Sequence, residues 1–209
     1  MNTKTIGWIL AVFPIIGMIT WFVSGLPTDP AGDIAGGYGA YATELAALNS
    51  DSIHVFMGIA TLIFGILTVA LIGLRAKVLA SGSSNYAYMS GMLIIVGFAG
   101  TVIEHGAISA GASLAGEGLI SESVSMLTLG TTAGGFGTTL LALGLGLLGY
   151  SLYQTKMIHV ITSYSFILVG VIGVLGGILF FDSGLIIAYY ASYTFTAVAA
   201  GIELIRTGK

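Results

Sequence analysis

Apolar residues fall along the chain in six long runs, near 5–25, 53–74, 87–112, 124–150, 158–181 and 185–205. Each is long enough for a helix that crosses the hydrocarbon core of a bilayer, which takes about 20 residues. None alternates polar and apolar positions as a transmembrane barrel strand does. In lipid the backbone polar groups must be satisfied internally, and a lone apolar segment achieves that as a helix. The pattern predicts an all-α integral membrane protein: one transmembrane domain over residues 1–209, built as a six-helix bundle. The first run ends in small residues, Val23-Ser24-Gly25, but it is long for the apolar part of a signal peptide and is read as a span. Pro14 inside it is expected to kink the helix.

The longest break, residues 26–52, carries Pro27, Pro30 and several glycines that mark turns. Within it, Tyr41 to Asn49 fits a short helix lying on the bundle. Tyr86, Tyr88, Tyr150, Tyr153, Tyr189 and Tyr190 fall near span ends, where aromatic residues commonly anchor at the headgroups.

Composition sharpens the membrane reading. Of 209 residues 56% are hydrophobic and 7% charged, with a mean hydropathy of +1.01. A soluble domain carries about 25% charged residues, so the natural partner of this surface is the lipid bilayer. The absence of cysteine from the sequence removes disulfides, thiolate metal sites and iron–sulfur ligation. A formal charge of −3 gives no basis for nucleic-acid binding. The few basic residues, Lys4, Arg75, Lys77, Lys156, Arg206 and Lys209, all fall on one side of a six-span chain. Asp29, Asp33, Glu44, Asp51, Glu117, Glu122 and Asp182 fall on the other. Positive residues favour the cytoplasmic side, so both termini are expected to be cytoplasmic and the 26–52 segment to be an outer loop.

Against this background Glu104 and His105 stand out inside the third run, in Gly97-Phe-Ala-Gly-Thr-Val-Ile-Glu-His-Gly-Ala-Ile-Ser-Ala-Gly111. A carboxylate at the centre of a membrane helix costs about 2.5–3.5 kcal/mol on insertion scales, so it needs a partner, a proton or a polar cavity. On a helix, Glu104 shares its face with Gly97, Gly100, Ala107 and Gly111. Such a face admits another helix closely, which directs Glu104 into the bundle. His105 has Thr101 and Ser109 one turn away as bonding neighbours.

The two halves of the chain share features. Gly65 and Val69 follow Ile53-His54-Val55 at the offsets at which Gly170 and Val174 follow Ile158-His159-Val160. Ile103-Glu104 in the third run matches Ile202-Glu203 in the sixth. Two inverted three-helix repeats would account for this, an arrangement common among secondary transporters. His159 and Glu203 are then the second-half counterparts of His54 and Glu104.

The six-span topology brings Asp51, His54, Glu104, His105 and Asp182 toward the outer half of the bundle. These residues form the candidate ion, proton or substrate site. His54, His105 and Glu104 are also of the chemistry that holds a metal ion, although no compact ligand motif is present. Haem is not expected, because the histidines fall at different depths. No catalytic residue is assigned, since no hydrolase, phosphate-loop or dinucleotide motif occurs. Three functional readings follow, in this order: a small-solute or ion carrier, alone or as a homo-oligomer; a non-catalytic subunit of a larger membrane complex; and a metal-dependent membrane enzyme.

Overall fold

A computed structural model describes residues 1–24, 37–48, 50–82, 85–179 and 185–208. Among them the chain is helical throughout: α1 (Thr3–Val23), α2 (Gly37–Ala46), α3 (Ser50–Ala80), α4 (Asn85–Gly116), α5 (Ile120–Thr155), α6 (Val160–Leu179) and α7 (Leu185–Thr207). Helices α1, α3, α4, α5 and α6 are long and apolar enough to cross a membrane. Helix α7 corresponds to the sixth expected span but is not among the five. Its six hydroxyl-bearing residues between Tyr189 and Thr196 dilute its apolar character. Large apolar side chains face outward on several helices, including Trp8, Leu62, Met92, Phe136, Ile161 and Phe195. Water rejects such a surface and lipid accepts it, so the chain is an integral, multi-pass membrane protein.

Small residues bring the helices together. Helices α4 and α5 meet almost backbone to backbone: a Cβ placed on Gly97 would stand 2.7 Å from the Gly137 carbonyl oxygen, and one on Gly137 2.8 Å from that of Gly97. The seam continues toward the α4–α5 turn through Gly130 against Ala107 and Gly111 against Leu127. Ser123 Oγ locks it there, donating to the Gly111 carbonyl at 2.8 Å. Gly146 and Gly170 pair α5 with α6, while Gly7 and Gly201 pair α1 with α7. Van der Waals packing at small residues is how helices associate in lipid, where burial of apolar surface supplies little drive.

These pairings fix the ends of the bundle. The start of α1 lies against the end of α3, through Ile6 and Gly73, and against the end of α7, through Gly7 and Ile205. Lys4, Arg75, Lys77 and Arg206 thus gather at one end. Arg75 donates Nε to the Ala87 carbonyl at 2.8 Å and lies over the Tyr88 ring, tying α3 to α4 there. At the opposite end, short helix α2 packs Tyr41, Ala42 and Leu45 on Ile53, Met57, Ala112 and Leu127. Glu44, Asp51, Glu117 and Glu122 lie at that end. Helix α2 starts and stops ahead of the expected Tyr41–Asn49, and Asp29, Asp33 and Asp182 lie outside the described residues.

The tyrosines divide into two groups. Tyr86, Tyr88, Tyr150 and Tyr153 are exposed, as headgroup anchors would be, but Tyr189 is wholly buried. Its ring fills the space left by the missing side chain of Gly173 on α6. The expected anchoring role does not hold for Tyr189 or Tyr190, because α7 turns them into the protein.

Candidate functional site

Helix α4 presents Glu104 and His105 to a cavity of about 170 Å³ that α1, α2, α3, α5 and α7 help to close. The cavity lies toward the acidic end, between Tyr41 of α2 and the adjoining ends of α1 and α7. Its lining is mainly apolar and aromatic, with Trp21, Phe64, Tyr190 and Tyr193 prominent. Thr131 and Thr194 add hydroxyls. An apolar enclosure with a few placed polar groups is the usual form of a small-molecule site.

Glycines position Glu104. Its carboxylate lies where the side chain of residue 134 would stand if that residue were not Gly134. The α4 face foreseen from Gly97, Gly100, Ala107 and Gly111 does turn toward α5. The missing side chain of Gly134 makes room for the carboxyl group on that face.

His105 is buried and fixed from α3. Its Nδ1 stands 2.8 Å from Thr61 Oγ1, which itself donates to the Met57 carbonyl at 2.7 Å. A hydroxyl has one proton to give. Both bonds form together when the ring donates, which places the proton on Nδ1 and leaves Nε2 an acceptor. The Phe64 ring meets the imidazole edge to face at 6.0 Å and Tyr190 at 6.2 Å. The sequence suggested Thr101 and Ser109 as partners of His105; the partner is Thr61, one helix away. Ser109 instead stands 2.7 Å from His54 Nδ1.

Of the residues expected to converge, Glu104 and His105 share the cavity wall. His54 does not line it: it is exposed on α3 and held by Ser109. Asp51 is exposed in the first turn of α3, and Asp182 lies outside the described residues. His54, Glu104 and His105 are therefore not assembled around one point. Among the described residues no group of three or more His, Asp or Glu comes together to hold a metal ion.

The second-half counterparts meet each other in another way. Glu203 accepts from the His159 backbone N–H at 2.7 Å and from Thr162 Oγ1 at 2.5 Å. The His159 ring accepts from the Ile161 N–H at 3.3 Å. Together they satisfy amides at the start of α6 that have no intrahelical partner. Glu203 is thus a helix cap supplied by α7, whereas Glu104 faces a cavity.

Sequence reading missed Trp21, Tyr190, Tyr193 and Thr131, which complete the wall from α1, α7 and α5. The tyrosines Tyr189, Tyr190 and Tyr193 in the hydroxyl-rich last run were the available signal. The chain matches no family model, no curated protein and no solved structure.

Proposed function

We propose that this protein is a six-span carrier of a small solute or ion, with Glu104 and His105 as its proton- or cation-binding pair. One observation carries the reading: both ionisable residues of the third run line the same cavity. A carboxylate within a membrane helix is expensive and characteristic of ion paths and proton relays. His105 complements it as an acceptor held in one tautomer. Helix α7, 23 residues long, is the sixth span; at 1.5 Å per residue it reaches about 35 Å, enough for a hydrocarbon core of about 30 Å. The basic end of the bundle is cytoplasmic on this reading, as are both termini. The inverted-repeat relation rests on the two His–Glu pairs, whose members make different bonds.

Purified protein in liposomes tests the proposal. An imposed solute or cation gradient should drive a proton flux that Glu104→Gln abolishes and Glu203→Gln spares. Equal flux in wild type and Glu104→Gln would reject it. Single cysteines at Ser81 and at Glu117 should be labelled from opposite sides of the membrane, with Ser81 cytoplasmic.

A second reading, a subunit of a larger assembly, has its own support. Gly58 on α3 and Gly106 on α4 are exposed with open space beside them. They lie at levels bracketed by the His54–Ser109 and Thr61–His105 bonds. A native mass after mild extraction separates the readings: unlike chains in fixed ratio favour the subunit, and a single species favours the carrier.

A further inference from the structure

We propose that the cavity beside Glu104 binds a small organic cation: one ammonium group carried on a single-ring apolar body. The inference rests on the carrier reading and names its substrate class.

Charge points this way first. Glu104 brings a carboxylate to the wall, and among the described residues no lysine or arginine lines the cavity. Lys4, Arg75, Lys77 and Arg206 gather at the far end of the bundle, and Lys156 closes α5 there. In an apolar enclosure a carboxylate favours a cationic partner, and an anionic ligand would meet it as a like charge.

Hydrogen-bond polarity points the same way. Thr131 commits its proton to the Leu127 carbonyl at 3.0 Å. Its oxygen is left with acceptor capacity. His105 keeps Nε2 as an acceptor, because Nδ1–H is spent on Thr61. The Glu104 carboxylate is an acceptor with several lone pairs. An ammonium offers donors and no acceptor, so it complements all three groups.

Aromatic rings and size define the body. Trp21, Phe64, Tyr190 and Tyr193 line the space, and aromatic rings hold apolar rings and attract cations. A volume of about 170 Å³ is close to the ~150 Å³ apolar cavity that takes up benzene. One ring fits this volume.

The probe is 2-phenylethylammonium, read by Trp21 fluorescence in full-length protein carrying Trp8→Phe, in nanodiscs at neutral pH. Propylbenzene supplies the same shape without charge, and 3-phenylpropanoate the opposite charge. The cation should quench saturably, with propylbenzene at least about tenfold weaker and the anion not binding. Glu104→Gln should weaken the cation by about tenfold and leave propylbenzene unchanged. Equal affinity for the cation and propylbenzene in the wild-type cavity would overturn the inference, whatever the fate of the variant. Selective cation binding without proton flux in liposomes would uphold the cation site and reject the carrier reading. Proton flux without selective binding would do the reverse.

Discussion

Thr61 holds the ring of His105 in one tautomer, across the interface of α3 and α4, through a bond of 2.8 Å. The constraint arises because the threonine hydroxyl has already given its proton to Met57. Thr61→Val keeps the shape and removes the acceptor, stranding a buried N–H. A stranded buried donor costs about 1–3 kcal/mol, so unfolding in detergent should move down by that amount. Thr61→Ser should stay near wild type. Equal stability of all three would mean that His105 does not depend on this bond.

The α4–α5 seam makes a second, purely steric prediction. At Gly137 an added methyl meets the Gly97 carbonyl oxygen at 2.8 Å and the Gly100 Cα at 2.9 Å. Both obstacles are backbone and neither can rotate away. Gly137→Ala should therefore cost about 1–3 kcal/mol. Gly106 is the control, since nothing lies within 4 Å of its added methyl. Gly106→Ala should raise stability by up to about 1 kcal/mol through helix propensity. If Gly106→Ala instead breaks an assembly on native gels, the exposed face is a subunit contact.

How far this site was legible follows from the same residues. Periodicity within one helix is local, so Gly97, Gly100, Ala107 and Gly111 were enough to turn Glu104 inward. Segregated charges also foretold which helix ends lie together. Pairing between helices is not local. Nothing near Thr61 or Ser109 in the sequence states that one faces His105 and the other His54. Tyr190 and Tyr193 likewise resemble interfacial anchors until α7 is seen to run between α1 and α6, putting their rings into the cavity. The likeness of Ile103-Glu104 to Ile202-Glu203 hid two different environments, because an Ile-Glu pair carries no information about what the carboxylate meets.

That contrast gives a third prediction. Glu203 satisfies the start of α6 through two bonds from His159 and Thr162. Hydrogen bonds to charged groups contribute about 1.5–3 kcal/mol, and a helix N-terminus further favours the negative charge. Glu203→Ala should lower stability within that range without altering ligand quenching of Trp21. Glu104→Gln should show the opposite profile, nearly normal unfolding with altered binding. If both glutamates proved structural, the cavity would lose its functional assignment.

The fourth prediction concerns Tyr189. Its side chain is wholly buried, and its hydroxyl has no hydrogen-bond partner among the described residues. Burying a hydroxyl without a partner carries a desolvation cost of about 1–3 kcal/mol. The ring earns its place by packing: Gly173 leaves room for it on α6, and the Tyr190 ring lies 5.0 Å away. Tyr189→Phe keeps the ring and removes only the unpaired group. Its unfolding temperature in detergent should match or exceed that of the wild type. Gly173→Ala should destabilise, because its methyl would enter the space of the Tyr189 ring and stand 2.5 Å from the Ala142 Cβ. A fall in stability with Tyr189→Phe would show that the hydroxyl is bonded in the folded protein, and α7 would then be held by a polar contact in addition to its shape.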